Sequence, residues 1–598
     1  MAASRRGQPE LQVRLPSAQN AAIPELPPIS ALFLIDFDVK AGYTISWKAS
    51  GPGVELEGVV EYKSLPSGLH TVSEDLIYFV HDGYAGLSAF VNAPVEDSEV
   101  RNARMLAVGV LVPLSYGRLG RAWRHAEGLK TMASTFATSA KDIGILEEYW
   151  QKHQAKEESV APVETVESPS IVFQQPPKQF QGHARNRSAS DGAALLPPGH
   201  RLSAYHPAWS LTKLLNTFGP LIFPIYRAAL LRKRILISCH APVQEACNFV
   251  YDISILSNIP QPIFDLLSPS SPPHRLRPLF TIGVHDIPFL VEDSKPRRNS
   301  DESPESDHEA GTGWIACTTD SILAMKDTLW DVLVTLPAPH SAKAARRIWP
   351  KIEGSGGIPI RASQRDLRRF RSLEAGLARL SSQSSSGASP TTPRDPTATN
   401  NPFFDDAEEK EVVEPLSWTA LAYNGFMWWA SAGEQALTER AEESARDAEL
   451  LADMAGSPSS SSAVRMEAPL LSASVASLPP ADPDEARTEL ALIAYFHRLT
   501  MQVLGTLADI VESDEDDGED GSRGDNDDDD DGTAALIDDD DAAEGRGVRV
   551  SSEDVARMGL DVWSAADAAF VTAAVEAYFG RRAYVEGKGV EVCGVRVC

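Results

Sequence analysis

The chain has 598 residues, of which 43% are apolar, and a formal charge of −29; that length is too great for one small core, and that apolar content fills two or more lobes. The acidity is concentrated, because Glu512 to Asp541 holds 17 acidic residues against one arginine, a net of −16 that leaves −13 for all the rest. Such a balance disfavours nucleic-acid binding by the chain as a whole, since phosphate requires a basic surface.

In chain order, ordered-looking blocks at about 30–155, 201–290, 311–380, 414–454, 485–511 and 547–598 alternate with segments rich in Ser, Pro, Gly and charge. Those segments hold too little apolar area to offset chain entropy and read as disordered. The first block reads as the strands ALFLIDFDV, YTISWKAS, VELEGVVEY, DLIYFVHD and LSAFVNAP, with RMLAVGVLVPL as a central strand apolar on both faces. Beyond Gly120 the period changes: Leu129, Met132 and Phe136, then Ile143, Leu146, Tyr149 and Trp150, recur at helical spacing. A small antiparallel sheet followed by helices is the expectation.

From Leu211 to Leu231 the pattern is helical, bent or divided by Gly219, Pro220 and Pro224. RILISC then reads as a strand, PVQEACNFVYDISILSN as a helix, and PLFTIGV and GWIAC as further strands. This βαβ order implies a parallel sheet with helices packed on it. The later blocks are predominantly helical. The last 50 residues give a helix, SSEDVARMGLDVWSAADAAFVTAAVEAYFG, then a hairpin turning at Glu586 to Gly589.

Few residues carry chemistry. In GWIACTTDSILAMKD, the residues Thr318, Thr319 and Asp320 stand where a strand must turn into the helix SILAMKDTLW, where they would accept hydrogen bonds from its first-turn N–H groups, a cap contributing about 1 kcal/mol. A nucleophilic Cys317 would need a base to lower its pKa, and His285 could reach it only through the fold; an inert core cysteine is the reading the local sequence supports. There is no GxxxxGK[ST] loop, HExxH, GxSxG or paired CxxC, and the Gly-rich turn at 354–357 lacks the strand-loop-helix spacing of a nucleotide site. Cys593 and Cys598 fall on opposite faces of the last strand, which makes them poor joint metal ligands. No catalytic, cofactor or metal site is therefore expected. Five dispersed cysteines fit a reducing compartment, with cytosol the default. The N-terminus has no apolar h-region, and runs such as RMLAVGVLVPL are too short to span a bilayer, so membrane contact is expected to be peripheral.

Several long pieces carry a resemblance: EGVVEYKSLPSGLH, DLIYF, RNARMLAVGVLVPL, FGPLIFPIYRAALLRKRILISCHAPV, VHDIPFL, GWIACTTDSILAMKDTLWDVLVTLP and YNGFMWWASAGE. In these the chain resembles the LCHN-type branch of DENN-domain proteins, and VARMGLDVWSAADAAFVTAAVEAYFGRRAYVEGKGVEVCGVRVC resembles the C-terminal extension of its fungal members. The resemblance implies an α/β, tripartite DENN-like module: a longin-like lobe at 30–155, a linker at 156–200, a central α/β lobe at 201–340 with an insertion at 291–312, and a helical lobe at 341–454 with an insertion at 382–413. A linker at 455–484 and the extension at 485–598, with its acidic insertion at 512–546, complete the chain. It also implies guanine-nucleotide exchange on a Rab GTPase in vesicle traffic, which is catalysis by differential binding without acid, base or nucleophile. A noncatalytic trafficking scaffold or Rab effector with the same fold is the alternative.

The polar positions singled out as partner-facing are Asp75, Arg101 and Arg104 in the first lobe and Arg232 and Arg234 at a helix-to-strand junction; the two last would equally serve to cap a helix C-terminus. Trp428 and Trp429 read either as an aromatic hot spot or as core. From Lys343 to Arg379 ten basic residues face three acidic ones, so Arg365, Arg368 and Arg369 would either lie on an anionic membrane or form a helix's solvated face. Ser188, Ser190 and Ser300 follow arginines as kinase sites do, and Asn401 to Phe403 spells NPF, a ligand tripeptide of endocytic adaptors.

Overall fold

The structure is a computed structural model that describes residues 26–38, 40, 42–94, 103–138, 143–155, 202–294, 313–344, 346–384, 411–431, 434–451, 486–520, 547–587, 590–592 and 595–597. Arg101, Ser188, Ser190, Ser300, the NPF tripeptide, Cys593, Cys598, most of the acidic tract and the side chains of Trp428 and Trp429 lie outside the described residues.

The first block supplies β1 (Ala31–Asp38), β2 (Gly42–Ser50), β3 (Glu74–His81), β4 (Tyr84–Pro94) and β5 (Ala103–Pro113), a wholly antiparallel array. VELEGVVEY is not a strand: it turns through residues 51–59 into a one-turn helix, α1 (Val60–Lys63). Its Gly58 has a φ of +76°, which breaks the extended run that the valines suggested. As the spacing predicts, α2 (Ala126–Thr138) and α3 (Gly144–His153) follow, and α2 covers β4 and β5 with Leu129, Met132 and Phe136. Gly86 is fixed by packing, because the Phe79 ring lies across it and a Cβ would meet that ring at 2.2 Å.

The second block folds as α4 (Leu211–Phe218), α5 (Ile222–Leu230), β6 (Ile235–Ser238), α6 (Gln244–Leu256), β7 (Arg277–Thr281), α7 (Ile287–Asp293), β8 (Trp314–Thr318), α8 (Ser321–Ala324), β9 (Val332–Thr335) and β10 (Lys351–Gly354). Strands β7, β8, β6 and β9 are parallel neighbours, as βαβ order requires. Gly219 and Pro220 divide α4 from α5, whereas Pro224 sits in the first turn of α5, where a missing N–H costs nothing. The helix expected at SILAMKDTLW is only one turn long, and its N-cap Asp320 makes no capping bond. Instead the Thr318 hydroxyl accepts from the Asp320 N–H at 3.1 Å.

The two arrays are one ten-stranded sheet, ordered β10-β9-β6-β8-β7-β3-β4-β5-β1-β2. They meet at a single pair, Phe79 opposite Phe280. A bulge between Pro278 and Phe280, with Phe280 at a left-handed φ of 58°, bends β7 toward β3. The parallel half is covered on one face by α6 and on the other by a separate small core of Leu236, Leu279, Leu290, Trp314, Leu323 and Trp330 beneath α7 and α8.

The remaining chain supplies α9 (Gln364–Ser384), α10 (Trp418–Ser431), α11 (Glu434–Leu450), α12 (Arg487–Asp520), β11 (Val548–Val550), α13 (Ser552–Arg557), α14 (Ala565–Phe579), β12 (Ala583–Val585), β13 (Val590–Val592) and β14 (Val595–Val597). The hairpin predicted around Glu586 takes a different form: β12 pairs in parallel with β11, and the hairpin is β13 with β14. By length and composition the stretch Arg487–Asp514 of α12 could cross a membrane, but 78% of its apolar 18-residue span is buried inside the protein, where it serves as a core helix.

The C-terminal region is built into this core. Tyr226 on α5 and Thr500 on α12 share a hydrogen bond of 2.7 Å, and the Tyr578 hydroxyl on α14 donates to the Leu230 carbonyl. Arg227 on α5 donates to both oxygens of Asp366 on α9, at 2.9 and 2.7 Å, and lies 3.1 Å from Asp567 on α14. Asp366 also receives the Ser363 N–H, so the first turn of α9 is capped by the group that binds Arg227.

Burial raises the Asp567 carboxyl to about 7, against the pull of Arg227 and with a further push from Asp366 and Asp561. Burial opposes ionisation of Asp366 as well, but Arg227 and the Ser363 N–H outweigh it and hold that carboxyl below its ordinary value. Because the folded value of Asp567 exceeds its unfolded one, its contribution to stability is fully present below about pH 4 and is lost as pH rises through about 7. Asp366 acts oppositely and only at lower pH. Of the groups facing it, Arg227 stays charged throughout this window, and burial raises the Glu414 carboxyl as it does that of Asp567. Asp567→Asn is therefore expected to flatten the fall in urea midpoint between pH 5 and 8, and an unchanged slope would contradict this assignment.

Candidate partner interface at the sheet seam

The proposed polar positions are not gathered into one surface. Asp75 on β3 is buried; its Oδ2 accepts the Val243 N–H at 2.7 Å and its Oδ1 the Gln244 N–H at 3.1 Å, so it caps the amino end of α6 and ties the two halves of the sheet. Burial raises its pKa despite these backbone donors. Arg104 on β5 stays half-exposed, 3.9 Å from Asp36. Arg232 is buried and donates to the carbonyls of Ala229, Ser257, Pro273 and His274 at 2.7–3.1 Å, closing the carboxyl ends of α5 and α6. Its own carbonyl occupies the space a Cβ would need at Gly313, 1.6 Å away. Arg234 holds Asp331 through Nη2 at 2.7 Å and Nε at 3.2 Å, fastening β6 to β9. Burial alone would raise Asp331, but these donors hold it below the ordinary carboxylate value. Arg232 thus takes the capping role rather than a partner-facing one. Both arginines lie at the amino ends of the parallel strands, whereas ligand surfaces of such sheets form at the carboxyl ends.

The membrane-facing reading of α9 is corrected for the same reason. Arg365 is only 3% exposed and binds both oxygens of Asp447 on α11, at 3.0 and 2.6 Å. Arg369 is buried over the Phe223 ring, 5.6 Å from its centroid, and 3.7 Å from Asp447; burial and the neighbouring Arg365 lower its pKa. Arg368 reaches solvent but is held by both oxygens of Glu443, each at 3.0 Å. Arg365 and Arg368, three apart on α9, meet Asp447 and Glu443, four apart on α11, a match legible in RDLRR and EESARD had the two helices been read as a pair. Arg368→Ala is accordingly expected to leave sedimentation with phosphatidylserine vesicles unchanged. Arg365→Ala should lower stability by about 3 kcal/mol through the uncompensated Asp447, and vesicle binding that falls while the thermal midpoint holds would contradict this.

Cys317 is fully buried, its sulfur 3.6 Å from that of Cys247 and 3.8 Å from the Thr281 hydroxyl. Its hydrogen bond with Cys239, with burial, pushes the thiol well above its ordinary pKa. His285 is engaged elsewhere, stacked on Tyr62 with centroids 3.8 Å apart. Cys317 is a core residue. Among the described residues no group of His, Cys, Asp and Glu is arranged to hold a metal ion.

What the chain does bring together is the seam. The segment after β2 lies across the carboxyl ends of β7 and β8: Tyr62 stacks on His285, Lys63 pairs with Asp286 at 2.7 Å and donates to the Val80 carbonyl at 2.9 Å, and the Ser67 hydroxyl donates to Asp320 at 2.6 Å. Around these cross-links stand exposed apolar side chains: Tyr62 on α1, Phe289 and Val291 on α7, Ile322 on α8, and Met325, which is 74% exposed. Large apolar groups held outward by ion pairs and hydrogen bonds beneath them are the features from which contact surfaces are built. No local period marks it, because its members sit on short helices and loops drawn from three separate segments.

A mixed ten-stranded sheet with an antiparallel half, a parallel α/β half and helices beyond defines a DENN-like fold. The family model described as DENN domain-containing protein 11 matches residues 32–346, more than half of the chain, and the chain belongs to that family. The model described as Domain of unknown function (DUF4484) matches residues 413–598. Relatives include DENN domain-containing protein 11 of Xenopus laevis, 32% identical over 328 residues (54% of this chain, 63% of the relative), and of Danio rerio, 32% identical over 311 residues (51% and 53%). The Saccharomyces cerevisiae uncharacterized protein ANR2 is 24% identical over 448 residues (68% and 73%). The chain thus spans between half and two thirds of the length of the vertebrate relatives it matches.

Proposed function

We propose that this chain is a guanine-nucleotide exchange factor for a Rab GTPase, acting in the cytoplasm at the surface of vesicles or endomembranes. Membership of a DENN family supports the partner class, and the exposed apolar seam, cross-linked from both halves of the sheet, is the observation that carries the reading. Exchange needs no reactive side chain. A surface that holds the nucleotide-free GTPase more tightly than the GDP form lowers the barrier to GDP loss by the difference, and equal affinity for both shifts nothing. The seam is suited to this because its apolar groups stand on short helices and their ends, supported by bonds within the chain rather than by a deep pocket.

The test is affinity against nucleotide state, across a panel of Rabs in nucleotide-free, GDP-loaded and GTP-loaded forms. Preference for the nucleotide-free form of one member by at least about 100-fold, close to 3 kcal/mol, is the expected result. Preference for the GTP-loaded form instead would make the chain an effector.

A further inference from the structure

Helix α10 contains no charged residue in its 14 positions and shows solvent a face that a surface helix ordinarily buries. Trp418, Leu421, Ala422 and Gly425, at spacings of three, four and seven, are all exposed, Trp418 at 87%. Phe426 is exposed beside them, while Ala420 is buried and Tyr423 rests 5.2 Å from Trp563. The helix is thus anchored through its other side, and the stripe faces outward.

The charge around this stripe says what covers it. From Glu411 to Leu450 eight acidic residues face two basic ones. Arg365 and Arg368 beneath α11 answer Asp447 and Glu443, Arg446 holds Glu442 at 3.3 Å and Arg346 lies 3.5 Å from Glu411, so acid remains in excess on the α10–α11 pair, with Glu434 and Glu449 exposed on α11. A surface of anionic lipid is repelled by this rim, and polybasic contact, its usual means of capture, is missing from the stripe itself. We propose that α10, with the acid rim of α11, is a docking surface for a basic amphipathic helix of another protein, whose apolar stripe covers Trp418 and Leu421 and whose lysines or arginines meet the rim. A helix laid on such a face pairs apolar anchors three and four residues apart with those of α10. This surface lies in the region matched by the model of unknown function, apart from the seam, and stands whether or not the exchange reading does.

The experiment titrates the full chain against a fluorescein-labelled amphipathic peptide with leucines on one face and lysines on the other, following anisotropy. A glutamate-for-lysine version serves as the charge control, and phosphatidylserine vesicles and sedimentation velocity are measured alongside. The lysine peptide is expected to bind and the glutamate peptide not. Trp418→Glu with Leu421→Glu should weaken binding at least about tenfold while leaving the thermal midpoint in place, because both side chains are exposed. Absence of binding by the lysine peptide, or binding undiminished in the double variant, overturns the proposal. Vesicle binding or self-association that the double variant abolishes also overturns it, assigning the face to lipid or to a second copy of the chain.

Discussion

Arg227→Met is expected to lower the stability of the chain by about 3–5 kcal/mol, the usual consequence of leaving buried carboxylates without their cation. Arg227 lies on α5, in the part of the chain matched by the DENN family model; Asp366 lies on α9, between the two matched regions; and Asp567 lies on α14, in the region of unknown function. All three side chains are nearly or wholly inaccessible. Removing the arginine strands two acids at the amino ends of α9 and α14, and only one of them, Asp567, has a carboxyl already near neutrality. Asp366→Asn and Asp567→Asn added to Arg227→Met should restore part of the loss, because no buried charge then remains uncompensated. Urea denaturation followed by far-ultraviolet circular dichroism checks both. A single variant that melts like the natural chain would mean that the C-terminal region contributes little to the fold, contrary to its bonds with α5.

The second large effect concerns the seam. Ile322→Glu with Met325→Glu is expected to weaken binding to nucleotide-free Rab by about 30-fold, the roughly 2 kcal/mol that marks a hot spot. Both side chains point to solvent, so stability should change by no more than about 0.5 kcal/mol. That separation between binding and folding distinguishes a contact surface from a packing defect. Isothermal titration calorimetry with a thermal melt of the same sample gives both numbers. Retained affinity would move the GTPase to another face, with half-exposed Arg104 the remaining described member of the polar set.

Much of the fold was legible because its signals are local. The strands around Ile77, Val108, Ile237 and Ala316 and the helices around Phe136 and Val250 follow the periods of two and 3.6 that burial on one or both faces imposes. The failures share a cause, which is that pairing at long range leaves no trace in a local window. VELEGVVEY has the composition of a strand but no neighbour to pair with, and Ala583–Val585 chose β11, more than 30 residues away, over the adjacent turn. The arginines of α9 have the pattern of a basic surface helix, and only the acids of α11 turn them inward. Asp75 and Arg232 were found as polar residues beside apolar runs, which also describes a buried cap. The seam escaped because contact surfaces are assembled from residues whose exposure, unlike their type, is set by the whole fold.

The central claim is that this chain acts on a GTPase by favouring its empty state, and release of fluorescent GDP from a Rab panel tests it most directly. Catalytic amounts of the chain should speed release from one member at least about tenfold over its intrinsic rate, with Ile322→Glu and Met325→Glu together abolishing the acceleration. Intrinsic release from every member in the presence of folded, excess chain would contradict it.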